Sequence, residues 1–213
     1  YSRNFLILDE LNRRSDVELH VVVGGTALLS KYSSKFAHVK EMLVKSGFKN
    51  IYEMYFNLEG DGHVTKAKTA GLGVIEFATL FNNIKPDLVV VRGDRFEVLS
   101  AAIAAAYMNI SIAHIEGGDV SGSIDESVRH AVTKLSHIHF ATNEPAKARL
   151  LKMGEHKKYV FNYGSPDIEV IHRSGNEPHV DLEKTGSGLH IDPTQDYLMV
   201  MYHPVSTDLE KAV

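Results

Sequence analysis

Apolar residues recur along this chain in two alternating rhythms. Phe5, Leu6, Leu8 and Leu11 stand at helical spacing with Asp9, Glu10, Asn12 and Arg13 between them, which predicts an opening amphipathic helix. Residues 17–23 form a strand candidate that runs into Gly24-Gly25. A helix over residues 39–46, a strand over 51–56 and a long helix over 66–83 follow, the last stopped by Pro86. The run Asp87-Leu88-Val89-Val90-Val91 is continuously apolar rather than alternating. That is the pattern of a strand covered on both faces of a parallel sheet. Beyond it, the alanine-rich residues 96–108 favour a helix by propensity. A strand over 112–115, a helix over 125–136, a strand over 138–141, a helix over 144–152 and a strand over 159–161 continue the alternation, with a short helix after Pro166.

Strands separated by helices of these lengths are βαβ units. The expected fold is α/β: a doubly wound, mostly parallel sheet, Rossmann-like. The composition changes after Ser174, where residues 175–195 hold Gly175, Pro178, Gly186, Gly188 and Pro193 among scattered charges. This stretch reads as a linker between a domain over 1–174 and the start of a second over 196–213, which opens on a strand over 197–201. The chain begins at Tyr1-Ser2-Arg3 without methionine and ends just after a polar run, so a piece of a longer polypeptide is expected.

Composition narrows the partners. The 213 residues are 44% hydrophobic and 23% charged with a net charge of −4, the profile of a folded domain with no basic excess to draw nucleic acid. With no cysteine there is no disulfide scaffold, thiolate metal site or cysteine nucleophile. No apolar run approaches the ~18 residues of a membrane helix, and no signal-peptide pattern opens the chain, so a cytoplasmic protein is the default expectation.

Ligands in an open parallel sheet sit outside the carboxyl ends of the strands. Asp94 falls there, after Arg92-Gly93, and Glu116 ends the next strand ahead of Gly117-Gly118. Asp125 starts the following helix in Ser123-Ile124-Asp125-Glu126, a capping-box pattern. Three carboxylates converging on one crevice suit general acid–base chemistry, because like charges and a helix terminus drive their proton affinities apart. Alternatively, Asp125 is no more than a helix cap. The two glycines would bring backbone close to a ligand. Arg92-Gly93-Asp94 spells an adhesion tripeptide, but it follows a buried strand. Neither G-x-G-x-x-G nor a Walker A pattern occurs. His114 with Glu116, and His137 with His139, share strand faces but lack further ligands at a metal-binding spacing, which favours hydrogen-bonded histidines. His203, in Tyr202-His203-Pro204, ends the last strand and would face an interdomain cleft.

Three blocks of this sequence closely resemble the UDP-N-acetylglucosamine 2-epimerases. They are Val91-Arg92-Gly93-Asp94-Arg95-Phe96-Glu97, the long run from His114 through Glu116-Gly117-Gly118-Asp119-Val120-Ser121-Gly122 to Ala131, and Thr133-Lys134-Leu135-Ser136-His137. Arg95 and the Gly-Gly-Asp-Val-Ser-Gly loop are similar to the hydrolysing branch, which feeds sialic-acid-type pathways. The resemblance implies a GT-B-type enzyme of two Rossmann-like halves, with the first strand lying just before Tyr1 and most of the second half after Val213. It implies a UDP- or GDP-linked 2-acetamido sugar as substrate, no cofactor or metal, and a homo-oligomer, dimer or tetramer. It also implies loss of the C2 proton with the C1–O bond, a 2-acetamidoglucal, and hydration to a free N-acetylmannosamine-type sugar. By motif, Asp94, Glu116 and Asp125 carry the acid–base roles, and His203 lies near the nucleotide phosphates. Arg95 orients a carboxylate or the phosphates, while Gly117, Gly118 and Ser121 line the substrate. Glu169 stands where relatives often have Asp, and its extra methylene moves the carboxylate by about 1 Å, a displacement that matters in a reacting site. A GT-B glycosyltransferase and a non-catalytic sugar-nucleotide-binding module are the alternatives.

Overall fold

The computed structural model describes residues 2–28, 39–60 and 62–174, with positions 196, 198 and 200. The linker over 175–195 and nearly all of 196–213, His203 included, lie outside the described residues. The described residues form six strands: β1 (His20–Gly24), β2 (Asn50–Met54), β3 (Leu88–Arg92), β4 (Ser111–Ile115), β5 (Ile138–Ala141) and β6 (Val160–Asn162). The helices are α1 (Phe5–Arg13), α2 (Val39–Lys45), α3 (His63–Ile84), α4 (Phe96–Tyr107), α5 (Ile124–Leu135), α6 (Glu144–Lys152) and α7 (Pro166–Ser174). Among the described residues no helix is long and apolar enough to cross a membrane.

Every strand pair is parallel, and the hydrogen bonding divides the strands into β1-β2 and β3-β4-β5-β6. The two sheets share one core: Val22 of β1 packs on the cluster that holds Met54 of β2, Val91 of β3 and Ile112 of β4. Alanines 101, 102, 104 and 105 of α4 are buried in that cluster beside Phe77 and Phe81 of α3. Small residues let the two helices approach. A Cβ on Gly73 of α3 would stand 2.9 Å from the Ser100 side chain of α4, while Ser100 Oγ donates to the Ala70 carbonyl at 2.8 Å.

The continuous apolar run was expected to be enclosed on both faces, and the structure corrects this. In β3, Val91 is buried but Leu88 and Val90 are 44% and 46% exposed. Alternate strand residues face opposite sides: Val89 and Val91 join the core with α3 and α4, while Leu88 and Val90 on the other side stay exposed. The enclosed strand is β4, where Ile112 through Ile115 are all buried between β3 and β5. The first strand also begins later than residue 17, since only from His20 does the chain pair with β2.

Helix α5 is set by local chemistry. The Ser123 hydroxyl accepts from the Asp125 amide at 3.3 Å. Glu126 does not return to Ser123 as a standard capping box requires; its carboxylate accepts from the Ser121 and Gly122 amides at 2.9 and 2.8 Å. These two bonds hold its pKa below the ordinary carboxylate value. Ser123→Ala is expected to lower stability by about 1 kcal/mol, read as a drop in the urea unfolding midpoint.

Candidate active site

The carboxyl ends of β3 and β4 lie side by side, with Arg92 in register with Ile115. Gly93, at φ +83°, turns the chain out of β3 and delivers Asp94. Asp94 Oδ2 accepts from Nη2 of Arg129, a largely buried side chain on α5 whose Nη1 donates to the Asp119 carbonyl at 2.8 Å. Glu116 leaves β4 with φ +68°, an uncommon conformation for a residue with a side chain. Its amide donates to the Phe140 carbonyl of β5 at 2.9 Å. Its Oε1 accepts from Arg92 Nη2 at 2.6 Å and from Arg3 Nη2 at 2.9 Å. Glu116 Oε2 lies 3.8 Å from where a Cβ of Gly93 would stand, which places this carboxylate beside the turn that carries Asp94.

Asp125 occupies the exposed first turn of α5, 3.4 Å from the Ser123 hydroxyl. Arg95 holds Glu97 through two hydrogen bonds of 3.1 and 3.0 Å. That bonding raises the Arg95 pKa against the opposing effect of burial, with further help from the charges of Glu97, Asp125 and Asp94. Arg95 thus stands in the field of two candidate carboxylates while bonded to neither.

Gly117 and Gly118 are packed against protein. A Cβ at 117 would meet His114 and Thr133 at 3.1 Å, and one at 118 would collide with the Ala146 carbonyl oxygen at 2.4 Å. Gly118, at φ +87°, lets the loop press onto α6, and Arg149 clamps it by donating to its carbonyl. Ser121 is exposed, with its hydroxyl 3.4 Å from that of Ser123. Glu169 is paired with Arg173 one helical turn away and is half exposed.

The carboxylate that α7 brings to this edge is Asp167. It accepts from Arg92 at 2.9 Å and Arg3 at 3.0 Å. Burial would raise its pKa, but the hydrogen bonds from Arg3 and Arg92 prevail and hold it below the ordinary value. Asp167, Arg3, Arg92 and Arg129 were all missed from sequence. The strand-end rule that found Asp94 points to the turn after β6, where both Asp167 and Glu169 stand, and does not choose between them. Arg92 gave the other signal, a charge closing an apolar run.

His114, His137 and His139 each make a polar contact, although buried Nδ1 of His139 has no partner. His114 Nε2 donates to the Gly93 carbonyl at 3.0 Å, which leaves Nδ1 to accept from Thr133 Oγ1 at 3.1 Å. His137 Nδ1 accepts from the Ile112 amide at 3.1 Å, and His139 Nε2 meets Glu155 at 3.1 Å. Among the described residues no three His, Asp or Glu side chains are grouped to hold a metal ion.

This edge therefore carries two strand-end acids, each gripped by a shielded arginine, beside a third acid on a capped helix. The sequence profile of the UDP-N-acetylglucosamine 2-epimerases matches residues 9–213. A UDP-N-acetylglucosamine 2-epimerase of Neisseria meningitidis serogroup B is 33% identical over 202 residues, covering 95% of this chain and 51% of the relative. A UDP-N,N'-diacetylbacillosamine 2-epimerase (hydrolyzing) of Legionella pneumophila is 33% identical over 205 residues, covering 96% and 52%. The chain thus spans about half the length of these relatives. Among solved structures, a UDP-GlcNAc 2-epimerase from Neisseria meningitidis bound to UDP-GlcNAc superposes with a TM-score of 0.69 at 21% identity, over 86% of this chain and 49% of that one. A putative UDP-N-acetylglucosamine 2-epimerase from Listeria monocytogenes gives 0.71 at 18% identity, over 86% and 47%. At such identities the structures show a shared fold, and the profile and the relatives give the lineage: the chain belongs to the UDP-N-acetylglucosamine 2-epimerase family.

Proposed function

We propose that this chain supplies the sugar-side acid–base groups of a hydrolysing nucleotide-sugar 2-epimerase, which converts UDP-N-acetylglucosamine or a related 2-acetamido sugar nucleotide to the nucleoside diphosphate and a free, C2-inverted sugar. The observation that carries this reading is the pairing of Asp94 and Glu116 at the ends of adjacent parallel strands, each held by its own buried arginine. The hydrolysing branch draws support from the Legionella relative's name and from the loop over residues 117–122.

The C2 hydrogen of such a sugar is weakly acidic, so a base must take it while the C1–O bond breaks. Positive charge grows at C1 as the nucleotide departs, and anions fixed nearby stabilise it. Asp94, Glu116 and Asp125 are the groups offered for proton transfer in elimination and in the hydration that follows. Arg95 is assigned to orienting a carboxylate or a phosphate, and of the loop residues exposed Ser121 is assigned to the sugar, Gly117 and Gly118 being packed against protein. Glu169, turned to Arg173, takes a smaller part in this reading than Asp167. His203, outside the described residues, is assigned to the departing diphosphate. In the same reading, residues 1–174 form the sugar-side domain, 175–195 the linker and 196–213 the opening of the nucleotide-side domain. The family's first strand, preceding Tyr1, would then lie between β1 and β3, and with the six described strands would give the order 3-2-1-4-5-6-7, the doubly wound pattern with one strand added at its end.

The test uses the complete protein in D2O with UDP-N-acetylglucosamine, followed by NMR. Release of UDP with one deuterium at C2 of the free sugar is expected. Product that keeps its C2 hydrogen would reject elimination, and transfer of the sugar to an acceptor would point to a glycosyltransferase.

A further inference from the structure

We propose that Arg92 is a positioning residue, which with Asp167 fixes the Glu116 carboxylate for the reaction. This rests on the function proposed above and adds a residue that neither acid–base reasoning nor the strand-end rule singles out.

Glu116 needs to be held. A left-handed backbone is strained for a residue with a Cβ, and such conformations persist only where the surroundings over-determine them. Here the hydrogen bond from the Glu116 amide to the Phe140 carbonyl fixes the backbone, and two guanidinium groups fix the side chain. Those two are unequal. The Arg3 side chain is 66% exposed, whereas that of Arg92 is 8% exposed and makes the shorter bond, 2.6 Å. A charge-assisted bond shielded from water is the stronger anchor.

Arg92 is itself immobilised. Its Nη1 donates to the Arg3 carbonyl and, at 3.1 Å, to Asn4 Oδ1. Its Nη2 is shared between Glu116 Oε1 and Asp167 Oδ2. Buried Nε has no partner, so the guanidinium is held wholly by its two outer nitrogens. Both arginines engage Oε1 of Glu116. Among the described residues no hydrogen bond engages Oε2, the oxygen turned toward Gly93, and it is left to meet substrate. Asp167 has a separate duty. As the second anion on Arg92, it keeps the guanidinium from closing on Glu116 as a bidentate fork, which would engage Oε2 as well.

The experiment compares the complete wild-type chain with Arg92→Met and Arg92→Lys. The first readout needs no substrate: hydrogen–deuterium exchange of the Glu116 amide, with the Ile112 and Ala113 amides of β4 as internal controls. At least tenfold faster exchange at 116 is expected in Arg92→Met, with the controls unchanged. The second readout is turnover. Arg92→Met should lose about 100-fold in kcat with KM within threefold, the cost of an ångström-scale misplacement. Added guanidinium ion should restore kcat at least tenfold, and Arg92→Lys should fall between, because an ammonium cannot bridge two carboxylates with a planar fork. Unchanged exchange at 116 would overturn the proposal, as would a kcat loss that guanidinium fails to restore or a rise in KM matching the fall in kcat. A wild-type chain that releases no UDP would defeat the functional reading alone, and the exchange measurement would still decide the role of Arg92.

Discussion

Glu116→Gln and Asp94→Asn, each made in the complete protein, are expected to slow release of the nucleoside diphosphate by about 10³-fold, within the range that removal of a positioned acid or base produces. Both are near-isosteric, and each amide oxygen still accepts from the arginine that holds it, so the substitutions remove proton-transfer capacity more than they remove structure. The distinction matters because leaving Arg129 or Arg92 without a partner would cost stability by itself. Urea midpoints measured alongside turnover separate the two effects. Supplying 2-acetamidoglucal directly isolates the hydration half-reaction: a variant impaired only in elimination hydrates the glycal at the wild-type rate. Wild-type rates of UDP release in both variants would remove the acid–base assignment altogether.

The second large effect is on stability. His114 lies wholly inside the molecule with its pKa lowered to about 4. Burial is the main cause; the Gly93 carbonyl opposes it, and His139, Arg129 and His130 add to the depression. The folded chain thus refuses a proton that the unfolded chain accepts near 6.5. Stability from this residue is complete above pH 6.5 and is lost as the pH falls toward 4. The interval corresponds to about 3 kcal/mol, at about 1.4 kcal/mol for each tenfold. His139, also lowered by burial although Glu155 opposes, adds loss in the same direction. Asp167, held below the usual carboxylate value, gives up its contribution only as the pH falls further. The His114 share is therefore read by comparison with His114→Gln, in which an amide can donate to Gly93 and accept from Thr133 without titrating. Urea unfolding at pH 7, 5.5 and 4.2 should show a steep decline for the wild type and one shallower by about 3 kcal/mol for the variant. Equal declines would show that His114 takes up its proton in the folded chain as readily as in the unfolded one.

How far these features could be read in advance depends on how local their causes are. The bounds of α6 were legible to the residue, because Asn143 caps it by accepting from the Ala146 amide and proline stands in its first turn. Asp94 and Glu116 were legible because a strand's carboxyl end is a topological position that spacing reveals. The arginines' partners were not, since Arg92 meets Asp167 across 75 positions of sequence and only the folded sheet brings them together. Choosing between Asp167 and Glu169 was equally out of reach. Two residues apart on a helix point about 200° from one another, and nothing in Pro166-Asp167-Ile168-Glu169 tells which side faces β3. The apolar run of β3 misled for a related reason, since a hydrophobic string shows what a strand can bury and not what covers it.

The backbone at position 116 sets two selective pressures against each other. Its torsion of φ +68° is one that glycine or asparagine adopts more readily than glutamate. Either residue relieves the torsion, but each takes an anion from the shielded Arg92, and on the proposed function each also removes the acid. Descendants of this lineage that kept the scaffold after abandoning sugar chemistry are expected to record the release of that conflict at this codon before any other in the site.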